Sequence, residues 1–301
     1  MMKARASSTL FTAIVLGVDA TTYPVGLSNC GVKSWVNEAP KRAVTMNQGT
    51  TEMMLGLGLV DHMVGTAYLD DAIWPEVEED FNKIPILSDA YPDIDTLMSV
   101  DPDFLYASYR SAFQAKTPEH EERIDYFDVV EGESCSLLVS NARGNYTYCR
   151  EELHAEGIQT YLQSPHCELE EHRPDEVTLH TLYEEIWEIA MIFDAFDKAL
   201  QLIDNIEAHF RAATKIVESS YSNSKPTVLW LDGWDPVSPF VGSCCGAVQA
   251  IIDYAGAINI YDQLGIEEKS SWDDGDWGEI VEKDPDVIVM IDASWDLAGK
   301  E

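Results

Sequence analysis

The chain carries one short pattern twice. DIDTLMSVDPDFLYAS starts at Asp93 and DWGEIVEKDPDVIVMI starts at Asp276, and in both an Asp-Pro-Asp separates a helical stretch from a β-branched or aromatic run. Leu97 and Val100 give the first helical stretch its apolar positions, and Ile280 and Val281 the second. Pro102 and Pro285 cannot continue a helix, and the residues after them favour a strand. Upstream of each copy comes a second match: a strand (43–46; 227–231), a polar or Gly-containing loop, and a helix that stops at glycine. These helices span 51–57 before Gly58 and 244–254 before Gly256. Helix, proline turn and strand, given twice, predict an α/β fold of two similar lobes.

Between the copies, residues 175–220 contain neither Gly nor Pro and repeat apolar residues at helical intervals: Tyr183, Ile186, Trp187 and Ala190, then Ile203, Ile206 and Phe210. Asp194 and Asp197 suit a break between two helices. As one helix, 198–220 would be about 35 Å long, a stiff strut that permits only a small closure of the lobes. A chain of 301 residues is also near the size at which one core stops growing. The expected division is a lobe at 21–172, a linker-helix region at 173–222 and a second lobe at 223–301.

With 19 Lys and Arg against 54 Asp and Glu, the formal net charge is −35. Nucleic acids are bound by clustered cations that neutralise phosphates, so that class of partner is excluded. Hydrophobic residues at 46% are too many for an acidic disordered polymer, and the chain must fold. Lys3 and Arg5 precede an apolar run over 10–18 with small residues at Ala20, so 1–20 reads as a signal peptide and the protein as secreted, periplasmic or cell-surface. No later run is long enough to span a membrane. The even set of six cysteines fits disulfides in an exported chain, and Asn145-Tyr146-Thr147 is a glycosylation sequon.

Several segments, in order, resemble the iron-siderophore and vitamin B12 solute-binding proteins of ABC importers: KRAVTMNQGTTEMMLGLGLVDHMVGTAYLDD, IPILSDAYPDIDTLMSVDPDFLYASYRSAF, the helical connector, PFVGSCCGAVQAIIDYAGAINIY, and the final run through VEKDPDVIVMIDASWD. The resemblance covers most of the chain from about Cys30. It implies two α/β lobes bridged by a long helix, a monomer, and a ligand in the cleft between the lobes. Such proteins continue past the last strand, so the second lobe is expected to be truncated at Glu301, with a further helix or a membrane anchor beyond. The resemblance further implies docking to a membrane transporter through one acid on each lobe, here Asp95 and Glu279, and a disulfide between Cys30 and Cys167. For so long a loop, chain entropy gives about 4–5 kcal/mol. Cys135 and Cys149 form the next pair, in an insertion with the sequon; Cys244 and Cys245 are expected to lie buried at a helix start.

The cleft is also approachable from the residues alone. Ligands of open α/β sheets gather outside the carboxyl ends of the strands. There stand Tyr68 and Asp70, then Tyr109 and Arg110, and in the second lobe Asp232, Trp234, Phe240 and Trp295. The loop of Asn47, Gln48, Gly49 and Thr50 opens a helix whose free N–H groups can donate to ligand oxygens. Tyr91, Trp272 and Trp277 lie in loops. Such aromatics either pack the core or wall a bulky, partly apolar ligand, and their shared position past strand ends in both lobes favours the wall. Arg110, a rare cation here, pairs either with a ligand carboxylate or carbonyl or with Asp70.

A trianionic catecholate complex would enter a strongly negative body, even with screening over about 8 Å. A ferric hydroxamate-type chelate is therefore expected first, a corrinoid second, with no resident cofactor. A surface sensory protein with a membrane receptor as partner is the competing class. Enzyme motifs are thin: no phosphate loop, zinc helix or Gly-x-Ser-x-Gly elbow is present, although Gly242-Ser243-Cys244-Cys245-Gly246 is superficially similar to the last. His166, Cys167, Glu168 and His172 lack regular metal-ligand spacing, Asp273, Asp274 and Asp276 lack that of a calcium loop, and no metal site is expected. Paired carboxylates for glycoside hydrolysis remain a third reading.

Overall fold

The computed structural model describes residues 20–114, 139–140, 146–220 and 224–291. Residues 1–19 of the predicted signal segment, Cys135, Asn145 of the sequon and Trp295 lie outside the described residues.

The first lobe opens with the hairpin β1 (Val25–Asn29) and β2 (Val32–Val36). A βα series follows: β3 (Ala43–Met46), α1 (Gln48–Gly56), β4 (Met63–Ala67), α2 (Glu78–Phe81), β5 (Ile86–Ser88), α3 (Ile94–Ser99) and β6 (Phe104–Ala107). Short strands β7 (Phe113–Gln114), β8 (Val139–Ser140) and β9 (Tyr146–Cys149) form a side sheet before α4 (Arg150–Ala155) and β10 (Gln159–Leu162). The main sheet has the order β10-β6-β3-β4-β5 and is parallel throughout. All four residues of β3 and of β6 are buried, as expected for strands covered on both faces. One face packs Ala43, Phe104 and Tyr106 against Met54 and Leu55 of α1 and against α5 (Leu179–Phe193). The other packs Val44, Met46 and Leu105 against Leu97 of α3 and Leu153 of α4.

The linker-helix region holds two helices that break at Asp194, and the second, over the stretch expected as the strut, bridges the lobes. α5 ends at Phe193, where Asp194 takes a left-handed conformation (φ 55°) and accepts a hydrogen bond from the Thr21 N–H. Its Ile186, Ile189, Ala190 and Phe193 belong to the first lobe's core, so that lobe extends by packing into the expected linker region. α6 (Phe196–Ser220) runs on for about 37 Å and meets the second lobe through Phe210, edge-on to Tyr254 with ring centroids 4.7 Å apart.

The second lobe comprises β11 (Thr227–Gly233), β12 (Phe240–Gly242), α7 (Ala247–Tyr254), β13 (Ile258–Asn259), β14 (Trp272–Asp274), α8 (Trp277–Lys283) and β15 (Val287–Met290). β13 and β15 pair parallel with β11, whereas β12 pairs antiparallel with both β11 and β14. After β12 the N–H groups of Ser243 and Cys244 donate to the Ser271 and Leu264 carbonyls, so α7 begins three residues later than the expected start at Cys244.

The repeated motif explains itself structurally. Asp93 and Asp276 are N-caps, accepting from the N–H of Thr96 (2.7 Å) and of Glu279 (2.8 Å). Asp101 and Asp284, each directly before the proline, take the same left-handed turn at φ 46° and 45°. Asp103 then accepts from the N–H groups of Lys41 and Arg42 just before β3, and Asp286 accepts from the N–H and hydroxyl of Thr227 at the start of β11. The motif thus caps a helix, stops it, and clasps the entry of the central strand in both lobes.

Cys30 and Cys167 are joined (S–S 2.00 Å), tying the hairpin to the end of the first lobe across 137 residues. Beside this link the buried Arg150 guanidinium donates to Asn29 and Thr160. Cys149 is disulfide-bonded too; the expected pair with Cys135 involves a residue outside those described. Cys244 and Cys245, expected simply as buried, bond to each other.

Candidate functional site

In the first lobe the chain runs β3, β4, β5 to one side of the sheet and then returns to add β6 and β10 on the other. Connections therefore diverge between the carboxyl ends of β3 and β6, which is where doubly wound sheets leave a crevice. Two non-glycine residues with positive φ stand at the strand ends there: Asn47 (φ 81°) after β3 and Tyr68 (φ 56°) after β4. Such conformations cost energy and gather at ligand sites.

Several expected residues meet here. Tyr68 lies edge-on to Tyr91 (4.8 Å), and the Tyr91 hydroxyl is bonded to Ser111 (2.9 Å) and donates to Asn47 Oδ1 (3.2 Å). Gln48 turns outward, bonding Glu52, the Ala72 carbonyl and the Asp71 N–H, while Thr50 donates to the Met46 carbonyl. Burial, then Asp70, Asp232 and Tyr68, pushes the Tyr109 hydroxyl up to about 12, so it stays a neutral donor. Burial, then Asp232 and Asp71, raises the Asp70 carboxyl. Asp70 of the first lobe and Asp232 of the second thus approach each other beside Tyr109.

Across the lobes, Tyr109 packs on His166 (4.8 Å), and His166 stacks on Trp272 of β14 (5.8 Å, interplanar angle 11°). Burial, reinforced by Arg173 and Arg110, pushes the His166 imidazole down to about 4. Arg110 acts on His166 and Glu168, while the carboxylates Asp232 and Asp71 act on Asp70. Trp234 packs against Trp277 (4.7 Å), and Phe240 is 39% exposed on β12. Trp272 is expected only as a loop aromatic, and the sequence points to neither His166 nor Gln163 as ligand-facing. The signal for the latter two is the strand Gln159–Leu162 after Gly157, which places them past a strand end.

Asp95 and Glu279 are both exposed. The caps align Asp93 with Asp276, so Asp95 is the second residue of α3 and Glu279 the third of α8; the two are not repeat equivalents, and Glu279 pairs with Lys283 (2.9 Å). A groove of about 510 Å³ lies elsewhere, between α5, α6 and α7, lined by Tyr183, Phe210, Arg211 and Tyr254. The strand ends are the better candidate because strain, aromatic clustering and shifted ionisation coincide there. Among the described residues no cluster of three metal-ligating side chains occurs, and no helix is long and apolar enough to cross a membrane.

The periplasmic binding protein family model matches residues 137–299, more than half of the chain. No curated protein sequence matches it. Among solved structures, a periplasmic binding protein from Veillonella parvula superposes with a TM-score of 0.66 at 24% identity, over 89% of this chain and 76% of that one. An ABC-type Fe3+-hydroxamate transport system protein from Saccharomonospora viridis gives 0.63 at 20%, over 89% and 80%. The heme-binding protein HmuT gives 0.57 at 15%, over 92% and 74%. At these identities the likeness is one of fold: two α/β lobes, a helical bridge and an interlobe seam. Members of the matching family are extracytoplasmic solute-binding proteins that work with membrane transporters, and this chain belongs to the periplasmic binding protein family.

Proposed function

We propose that the protein captures a ferric siderophore of the hydroxamate type outside the cytoplasm and presents it to a membrane transporter, with Asp95 and Glu279 as docking acids. The carrying observation is the aromatic seam at the strand ends, where Tyr109 and His166 of one lobe meet Trp272 of the other while Tyr68 and Tyr91 stand behind. Such walls suit a bulky ligand with apolar and hydrogen-bonding surface. Asp70 and Asp232 flank the seam in a chain of net charge −35, which supports a neutral or cationic chelate over a trianionic catecholate. Titrating the eight-tryptophan chain with ferrichrome, ferrioxamine B, ferric enterobactin and cobalamin tests this. Saturable quenching by the two hydroxamates, at least tenfold tighter than by the catecholate, is expected; a tighter catecholate refutes the electrostatic argument.

Heme is the second reading, favoured by one observation: Tyr109 stands beside an imidazole that stays neutral above about pH 4, and Tyr and neutral His are both heme-iron ligands. A Soret shift on adding hemin that is lost in Tyr109→Phe would favour it.

A further inference from the structure

We infer that the crevice between β3 and β6 contains a donor cradle, formed by the Ser108 hydroxyl and the open N-terminus of α1, that takes a carbonyl or hydroxamate oxygen of the ligand. The identity of that ligand rests on the siderophore reading above; the cradle itself rests on the geometry of the first lobe.

The first N–H groups of any helix lack intrahelical partners and are normally met by a capping side chain. Asn47 is of the right type and at the right position, yet its side chain makes no cap; it accepts from the Tyr91 hydroxyl instead. Every other polar side chain of the first turn is also directed elsewhere. Gln48 bonds Glu52, Asp71 and Ala72, Thr50 donates to the carbonyls of Met46 and Asn47, and Thr51 donates to the Asn47 carbonyl. The helix start is therefore left uncapped by the very residues able to cap it.

Ser108 supplies the independent observation. It follows β6 directly, on the other side of the switch point, and is only 4% exposed, yet its Oγ has no hydrogen-bond partner. A buried hydroxyl without a partner is costly. It faces the helix start: a Cβ built on Gly49 would lie 3.5 Å from this Oγ and 4.0 Å from Gln163 Oε1. Those distances are ordinary contacts, so packing does not demand glycine; its absent side chain keeps the approach open, and Gly49 itself is exposed. Backbone N–H groups and a hydroxyl aimed at one space, with the partial positive charge of a helix start, call for an acceptor oxygen and not a cation. Gln163, fixed by its donation to the buried Glu185 (2.8 Å), closes the far side.

The test uses the full chain labelled with 15N-glycine, the Gly49 amide resonance being identified by its loss in Gly49→Ala. Two probes are added separately: acetohydroxamic acid, which presents the oxygen alone, and ferrichrome. The Gly49 resonance is expected to shift saturably with both, while Gly157, in an open turn, stays still. In Ser108→Ala the response to acetohydroxamic acid should vanish and ferrichrome binding should weaken about five- to tenfold. That variant should melt no lower than the wild type, because it deletes an unpartnered group; a structural hydroxyl would give the reverse, a lower melting temperature with unchanged binding, and would overturn the cradle. A Gly49 response to acetohydroxamic acid without tryptophan quenching by ferrichrome upholds the cradle and refutes the siderophore reading. Quenching by ferrichrome with a silent Gly49 refutes the cradle alone, and silence in every arm refutes both.

Discussion

The two lobes use the same device and reach different degrees of burial. In both, an aspartate caps the helix before the proline turn, a left-handed aspartate stops that helix, and a third aspartate clasps the start of the central strand. In the first lobe the strand after the proline turn, β6, lies within five parallel strands and is wholly buried, with helices over both faces. In the second, the sheet is mixed, its cores are small, and β15 leaves Val287, Ile288 and Met290 between 44% and 58% exposed. The motif therefore determines where a strand begins and what precedes it. How deeply the strand is buried depends on what packs over it, which the motif does not encode.

The sharpest test of this difference is covalent. The link between Cys30 and Cys167 closes a loop of 137 residues in the first lobe, and Cys30→Ser with Cys167→Ser should cost about 5 kcal/mol in denaturant unfolding. The bond between neighbours Cys244 and Cys245 closes no loop, so the matching double serine variant in the second lobe should cost under about 1 kcal/mol. Equal costs would mean that the first link adds nothing through the unfolded chain.

Packing gives the next largest contrast. Phe104 is fully buried and edge-on to Phe193 at 5.2 Å, so Phe104→Ala should destabilise by about 3–5 kcal/mol. Ile288 is 55% exposed on β15, and Ile288→Ala should stay within about 0.5 kcal/mol. A large loss at Ile288 would show that something covers β15 in solution.

Histidine protonation between pH 6.5 and 4 should act on the first lobe only, because the second lobe, 223–301, contains no histidine. In the first, burial pushes both His166 and His154 down to about 4. The unfolded chain takes up these protons near pH 6.5 and the folded chain only near 4, so stability is intact above 6.5 and is lost as pH falls through that window. For His166, half-buried behind Tyr109 and Trp272, the loss is at most about 3 kcal/mol. Urea unfolding of His166→Gln should depend less steeply on pH between 6.5 and 4 than that of the wild type. An unchanged slope would place the His166 imidazole in water.

Much of this contrast was readable before any coordinates, and the unreadable part has a common cause. The repeat, the buried strands at 43–46 and 104–107, and the strand-end residues Tyr68 and Tyr109 all follow from local pattern, because alternation, proline stops and strand ends are local facts. The seam residues His166 and Trp272 are far apart in sequence and meet only through tertiary packing. β10 follows a long insertion and lies outside the repeated pattern, and without it His166 and Gln163 have no evident place. α5 reads as linker because its periodicity shows an apolar face without showing which lobe receives it. Asn47 reads as a ligand-binding loop residue, but that its side chain turns to Tyr91 is a fact of packing.

The smallest effect is the one that tests the likeness of the lobes instead of their difference. Asp93→Ala and Asp276→Ala each remove one side-chain acceptor from the first turn of a short helix, α3 or α8. Each should lower the melting temperature by about 2 °C, since the hydrogen bonds are alike at 2.7 and 2.8 Å. If the lobes unfold as one unit, the two variants shift the same transition equally. If the thinner second lobe opens first, Asp276→Ala lowers an early transition while Asp93→Ala leaves it in place, and differential scanning calorimetry of the two variants would show α6 to be a hinge between separate cooperative units.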